Sequence, residues 1–333
     1  MALSARPTSS IAGEITDARQ ADQIAFLHRV PFALDAFRLG FLTGFREDCT
    51  YQQQQYTDLE SPVGMLDNDF RNPDLNRYVE RFFEYKPQVV VIGDAYDVDE
   101  VDEYVAAARE IQGSYPDADL VIVPKCRAAI QAIPDDIVVG YSRGYADRLA
   151  HEFSDPADWR GRRVHILGGS PPKQLDVIDQ LTRPTLTGDP PADIVGVDWN
   201  GVHRGAQFGE FWTPDGWDDS GRDAEHMTVR KTVRHGLARI REFWQAHGVW
   251  PESTPQEDGP ELTYRGPSLG DLGSAACTES EENVWTTERG PYIVEYDTGE
   301  IYGYCSYDCY FAHRHRNNLE EVAGEQSVYL PPA

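Results

Sequence analysis

From residue 88 to residue 198 the chain repeats one pattern, and this restricts the fold more than any other feature: a short β-branched apolar run is followed by a stretch with helical periodicity. Gln88-Val-Val-Val-Ile-Gly-Asp94 reads as a buried strand, and Val98 to Gln112 follows with Val101, Tyr104, Val105 and Ala108 at helical spacing. Asp119–Pro124 leads to a helix near Arg127–Ile133, Ile137–Tyr141 to one near Tyr145–Phe153, and Arg163–Gly168 to one over Lys173–Leu181. Asp193–Asp198 opens a fifth unit. A strand that is apolar on both faces and feeds an amphipathic helix is a parallel crossover unit. Five such strands in about a hundred residues predict a TIM-like (β/α) barrel, an α/β fold that takes a chain of 333 residues as one large core with a short appendage.

The expected organisation is a flexible N-terminus over residues 1–22, the barrel over 23–247, a Gly/Pro/Glu-rich linker over 248–273 and a small Cys/His module over 274–333. No window holds eighteen consecutive apolar residues, and Met1 to Asp22 lacks the basic-then-apolar order of a signal peptide. A cytoplasmic protein with no membrane partner is therefore expected. Acidic residues number 56 against 30 basic ones, and Lys86, Lys125, Lys173 and Lys231 are the only lysines. Carboxylates hold water where concentrated salt screens charge, so this balance predicts a halophilic protein. At molar salt the long-range field is screened, and the net charge of -26 does not exclude a nucleic-acid partner.

In parallel barrels ligands lie beyond the carboxyl ends of the strands, which here carry Asp94, Lys125, Gly168-Gly169 and Asp198. Around those ends a family resemblance emerges. His165-Ile-Leu-Gly-Gly-Ser-Pro-Pro-Lys-Gln-Leu-Asp-Val-Ile178, then Ala192-Asp-Ile-Val-Gly-Val-Asp-Trp-Asn200 and His203-Arg-Gly-Ala-Gln-Phe-Gly209, resemble the corresponding run of tRNA-guanine transglycosylases. Met65-Leu-Asp-Asn-Asp-Phe70 is similar to that family's first-strand Asp-Ser-Gly-Gly-Phe motif, and Ile92-Gly-Asp-Ala-Tyr-Asp97 to its base-recognising segment. Gly140-Tyr-Ser-Arg-Gly-Tyr145 stands where the family has a glycine-rich turn lining the base pocket.

The resemblance covers roughly residues 60–210 and rests on the order of the motifs. It implies exchange of guanine for a 7-deazaguanine base in a nucleic acid, tRNA or DNA. Asp198 would be the nucleophile and Asp67 the acid/base; Asp94 would accept hydrogen bonds from the base, and Gly140, Gly168 and Gly169 would let backbone approach a flat ring. The sequence departs from the family at Asn200, where relatives carry a second aspartate, and at Asn68-Asp69, which replace paired glycines and leave Asp67 and Asp69 both open.

Ordinary structural roles fit some of the same residues. Asp94 and Asp97 suit helix caps, Ser170-Pro171 suits an N-cap followed by proline at the first helical position, and His165 suits a satisfied core histidine. The alternative to catalysis is an inactive barrel that binds nucleic acid or a partner protein, favoured by Asn200 because asparagine cannot attack. A further alternative is a hydrolase or lyase in which Asp67, Asp94 and Asp97 hold a divalent metal.

Arg230, Lys231, Arg234, Arg239 and Arg241 cluster on a helix expected over Met227–His247. Arg230 and Arg234 share one face, so Arg230, Lys231 and Arg234 are candidate phosphate contacts, unless the arginines pair with surface carboxylates. Near the C-terminus Tyr304-Cys-Ser-Tyr-Asp-Cys-Tyr310 resembles the second knuckle of treble-clef zinc modules. With Cys277 across a hairpin of Tyr292–Tyr296 and Glu300–Tyr304, it suggests a structural zinc held by Cys277, Cys305, Cys309 and either His313 or His315. Cys49 and Cys126 are expected to pack in the interior. A homodimer is compatible with the sequence.

Overall fold

The computed structural model describes residues 19–28, 30–49, 52–53, 56, 62–144, 147–186, 188–206, 208–220, 229–255, 276–281, 292–296, 301–316 and 325–328. Eight parallel strands close into a barrel in the order β1-β2-β3-β4-β5-β6-β7-β8. They are β1 Gln23–Leu27, β2 Leu42–Arg46, β3 Met65–Asp67, β4 Val89–Ala95, β5 Asp119–Pro124, β6 Val138–Ser142, β7 Arg163–Leu167 and β8 Asp193–Asp198. The TIM-like architecture expected from the repeated pattern is therefore the fold. Contacts divide the chain into two compact units, Met1–Ala25 with Met65–Trp199 and Trp244–Glu252, and Phe26–Gly64 with Asn200–Phe243 and Ser253–Ala333.

In the first unit β3 to β8 pair in sequence and β8 pairs β1, with Gln23 opposite Gly196 and Ala25 opposite Asp198. Val90, Val121, Ile122, Val139, Val164, Ile166, Val195 and Val197 are buried. This is the condition of strands filled by side chains within and covered by helices without. The covering helices are α2 Leu75–Tyr85, α3 Val98–Ser114, α4 Arg127–Ala132, α5 Ala150–Phe153 and α6 Pro171–Thr182. Asp97 starts α3, its carboxylate accepting a hydrogen bond from the Glu100 amide, so this aspartate is a cap. Only the last turn of the helix expected over 145–153 forms among the described residues, as α5.

The amino ends of the strands are closed by polar bonds: Arg163 pairs with Asp119 at 2.7 Å and reaches Asp193, while Gln23 donates to Asp119. Val249 and Trp250, which open the expected linker, are buried, and the Ala21 amide donates to the Val249 carbonyl. Residues 256–273 of that linker and 1–18 of the expected lead-in lie outside the described residues.

In the second unit α1 Val30–Arg38 precedes β2, and the buried Tyr56 hydroxyl lies 3.0 Å from the His28 carbonyl and 2.9 Å from that of Gly44. After α7 Val202–Ala206 and the hairpin of β9 Phe211–Thr213 and β10 Gly216–Asp218 comes α8 Val229–Ala246, the long helix expected from the sequence. β11 Tyr292–Tyr296 and β12 Ile301–Tyr304 form the expected hairpin, β13 Glu325–Val328 adds a strand to it, and α9 Tyr307–Arg316 follows β12. Among the described residues no helix is long and apolar enough to cross a membrane.

Candidate functional site

Three consecutive strands deliver a carboxylate, an ammonium and a hydroxyl to the carboxyl end of the barrel. Asp94 is the penultimate residue of β4, Lys125 directly follows β5, and Ser142 ends β6. Lys125 is 2% exposed, with Nζ 3.1 Å from Asp94 Oδ2 and donating to Ser142 Oγ at 2.9 Å. Burial raises the Asp94 pKa above the ordinary carboxylate value, while Lys125 pulls it down. Asp94 is thus an ion-paired residue and not a cap.

Asp198 ends β8 and meets a histidine of the neighbouring strand. His165 is 0% exposed and its Nε2 lies 3.6 Å from Asp198 Oδ1, long for a hydrogen bond. Among the described residues neither ring nitrogen of His165 has a hydrogen-bond partner, and the buried Asp198 Oδ1 has none. His165 is therefore in the core, as expected, but it is not satisfied there. A Cβ at Gly196, its partner across the ladder, would lie 2.6 Å from His165 Nδ1, so glycine is what leaves room for the imidazole. The carbonyls of Asp198 and Gly168 are both held by the buried Gln174 amide, at 2.7 and 2.9 Å, which ties the end of β8 to the turn after β7.

Of the two open aspartates, Asp67 is the one that ends a strand, although that strand is the third of the barrel and not the first; its Oδ1 accepts from the Asn68 amide. Asp69 serves its own loop, accepting from the Arg71 amide and facing Arg77 at 3.7 Å. The buried Asn68 leaves its Nδ2 without a hydrogen-bond partner among the described residues.

The candidate glycines divide. Gly168 and Gly169 have φ of 66° and 82°, and a Cβ at Gly144 would lie 2.5 Å from the Gly169 amide, so these loops meet backbone to backbone. Gly140 instead lies in the middle of β6, where a Cβ would strike Val123 and Leu167; packing explains it. Ser170 precedes Pro171 at the start of α6 as expected, but makes no capping bond with its side chain. Asn200, the residue that departs from the transglycosylase pattern, accepts a hydrogen bond from the Leu27 amide at 2.8 Å.

On α8 the apolar face is Val233, Leu237, Ile240 and Phe243. Arg239 pairs with Glu242 at 2.8 Å and Arg241 donates to the Leu39 carbonyl, which are intramolecular roles. Arg234 is partly buried, and the side chains of Arg230 and Lys231 lie outside the described residues.

The cysteine cluster forms, and among the described residues it has three ligands. The sulfurs of Cys277, Cys305 and Cys309 all lie within 4.8 Å of one another and can hold a metal ion. Burial and the neighbouring thiols of Cys309 and Cys277 push Cys305 up to about 12, despite a hydrogen bond with Ser280. At Cys277 burial opposes the thiolate, but hydrogen bonds from Ser280 and from the backbone of Cys305, Ser280 and Glu279 outweigh it and lower the pKa. His313 is not in the cluster: its Nδ1 lies 3.0 Å from the Tyr304 hydroxyl and its ring packs against Tyr302. The His315 side chain lies outside the described residues. Cys49 and Cys126 are half-buried and not interior, Cys126 because its sulfur caps α4 at the Ala129 amide.

Fold and site together define a (β/α) barrel protein with ionisable groups gathered at the carboxyl ends of its strands and a three-cysteine cluster near its C-terminus. The chain belongs to the family described as "Family of unknown function (DUF6610)", which matches residues 36–245. No curated protein matches it. Among solved structures it is similar to the YdjI aldolase from Escherichia coli K12, at 10% identity and a TM-score of 0.43, covering 71% of this chain and 96% of that one.

Sequence reasoning named Lys125 only as a strand end and missed Gln174 and Gly196. Gln174 had a signal: with Val177, Ile178 and Leu181 it falls on the apolar face of its helix, where a buried amide needs partners.

Proposed function

We propose that this protein exchanges guanine for a 7-deazaguanine base in a nucleic acid, with Asp198 as nucleophile and Asp67 as acid/base. The observation that carries the reading is the Asp198 carboxylate itself: it ends a barrel strand, with Oδ1 buried toward His165 and without a hydrogen-bond partner among the described residues. His165, packed beside Oδ1 on the neighbouring strand, would orient the carboxylate and leave Oδ2 to attack.

In the first half-reaction Oδ2 of Asp198 forms a bond to the anomeric carbon as the bond to guanine N9 breaks; the leaving base takes the electron pair, and the acid form of Asp67 supplies a proton. In the second, the Asp67 carboxylate takes a proton from N9 of the incoming base. That nitrogen then attacks the anomeric carbon and expels Asp198. The side-chain oxygen of Asn200 is engaged by the Leu27 amide, so Asp198 acts without a second carboxylate from that loop.

The three-cysteine cluster fits a structural zinc, because three thiolates with one further ligand make a closed tetrahedral site that would fasten the segment before β11 to α9. In this reading the metal takes no part in the exchange.

The decisive test compares modified nucleosides in digests of total tRNA and total DNA from cells with the gene, without it, and with Asp198→Asn. A 7-deazaguanine nucleoside present only with the parent gene is expected, and the pool that holds it names the polymer. In vitro, Asp198→Asn should lower exchange by about three orders of magnitude or more. If neither pool changes, the barrel is a binding module and the exchange reading falls.

A further inference from the structure

The Asp94–Lys125–Ser142 array has no assigned part in the exchange beyond Asp94 as an acceptor. A lysine that is 2% exposed is uncommon, because desolvating an ammonium is costly unless it is paired and hydrogen-bonded. Here the pairing is met by Asp94 at 3.1 Å and the hydrogen bonding by Ser142 at 2.9 Å. An ammonium has three N–H donors, and the third is not engaged by any described residue. Asp94 likewise keeps one oxygen outside this pair. The side chains come from the ends of adjacent strands, β4, β5 and β6, so the donor and the acceptor are held side by side by the barrel ladder. The Lys125 amide donates to the Ala95 carbonyl at 2.7 Å and fixes the backbone where the lysine leaves β5.

A donor beside an acceptor, with no net charge, is complementary to a neutral heterocycle that shows a carbonyl oxygen beside a ring N–H. We propose that Lys125 is a specificity-determining residue of this site, donating to the six-position carbonyl of the purine-like base while Asp94 accepts from the adjacent N–H groups. The proposal rests on the base-exchange reading for the identity of the ligand class. It adds that an ammonium selects lactam bases, and that Ser142 is a positioning residue that aims it. A 6-amino base would bring a donor against the ammonium and meet repulsion. Removing a buried charged partner also leaves the other group unpaired, which makes such a site discriminate strongly.

The experiment is equilibrium binding of free bases to the full chain by titration calorimetry, with no nucleic acid and no turnover. The probes are 7-deazaguanine and 6-thio-7-deazaguanine, which keeps every N–H donor and replaces only the carbonyl oxygen with a poorer acceptor. The parent is expected to prefer the oxo base by about tenfold or more. Lys125→Met should lose that preference and bind both weakly, whereas Lys125→Gln, which keeps an N–H donor, should retain it. Equal affinity of the parent for the two bases overturns the proposal even if Lys125→Met fails to fold, as does a folded Lys125→Met that keeps the preference. Loss of the preference in a protein that shows no exchange would sink the exchange reading and leave Lys125 as the carbonyl reader. Exchange with an unchanged preference would do the reverse.

Discussion

At the amino end of the barrel one guanidinium, Arg163, lies between the carboxylates of Asp119 and Asp193, and Asp22 stands near all three. Partial desolvation, followed by repulsion from Asp193 and Asp119, raises the Asp22 pKa, with Arg163 opposing. A raised folded pKa means that the fold favours the protonated carboxyl. That contribution is complete below the ordinary carboxylate value of about 4 and is lost as pH rises through the raised one. Asp22→Asn should therefore be more stable than the parent at neutral pH, with the difference closing in acid; urea unfolding across that range would show it, and a gap independent of pH would refute it. Other residues resisted reading for a physical reason. The aspartate type at 94 and 97 is the same, yet one pairs with Lys125 and the other caps α3. Which role an aspartate takes depends on what the neighbouring strand brings beside it.

Elements were legible where turn residues punctuate apolar runs. The strands β4 to β8 were each recognisable because glycine, proline or aspartate closes them. β1, α1 and β2 were not, since residues 24–45 break into short apolar runs, interrupted by His28-Arg29, Asp35, Arg38 and Thr43, in which strand and helix periods cannot be separated. The Cys-rich element was half legible. Cys305 and Cys309 lie one helical turn apart and meet at once, whereas Cys277 reaches them only through the chain's path around β11 and β12. His313 follows Cys309 at helical spacing but is held by Tyr304, a pairing between β12 and α9 that spacing does not report. If the cluster holds zinc, the purified chain should carry about one metal ion and Cys305→Ser should lose it. Hydrogen exchange in β11, β12 and α9 should then quicken while β4 to β8 keep their protection. Full metal retention by that variant would remove the cluster from consideration.

The whole molecule carries a net charge of -26, and its carboxylates repel one another most when little salt is present. Its thermal unfolding midpoint should climb steadily from low to molar potassium chloride, monitored by circular dichroism; a flat response would show that the acidity serves something other than tolerance of salt. The closed barrel itself followed from local pattern, because apolar strands alternating with amphipathic helices leave few other ways to bury both strand faces. So did the presence of aspartates at strand ends, since each lies within a few residues of its own strand. The partnerships were decided only by the tertiary structure. Pairing of neighbouring strands sets His165 of β7 beside Asp198 of β8 and stands Lys125 between Asp94 and Ser142, and Gly196 and Gln174 become meaningful only once those neighbours are in place. Sequence order determines what each strand carries to the barrel mouth; the distances across the ladder determine which groups share charge and protons.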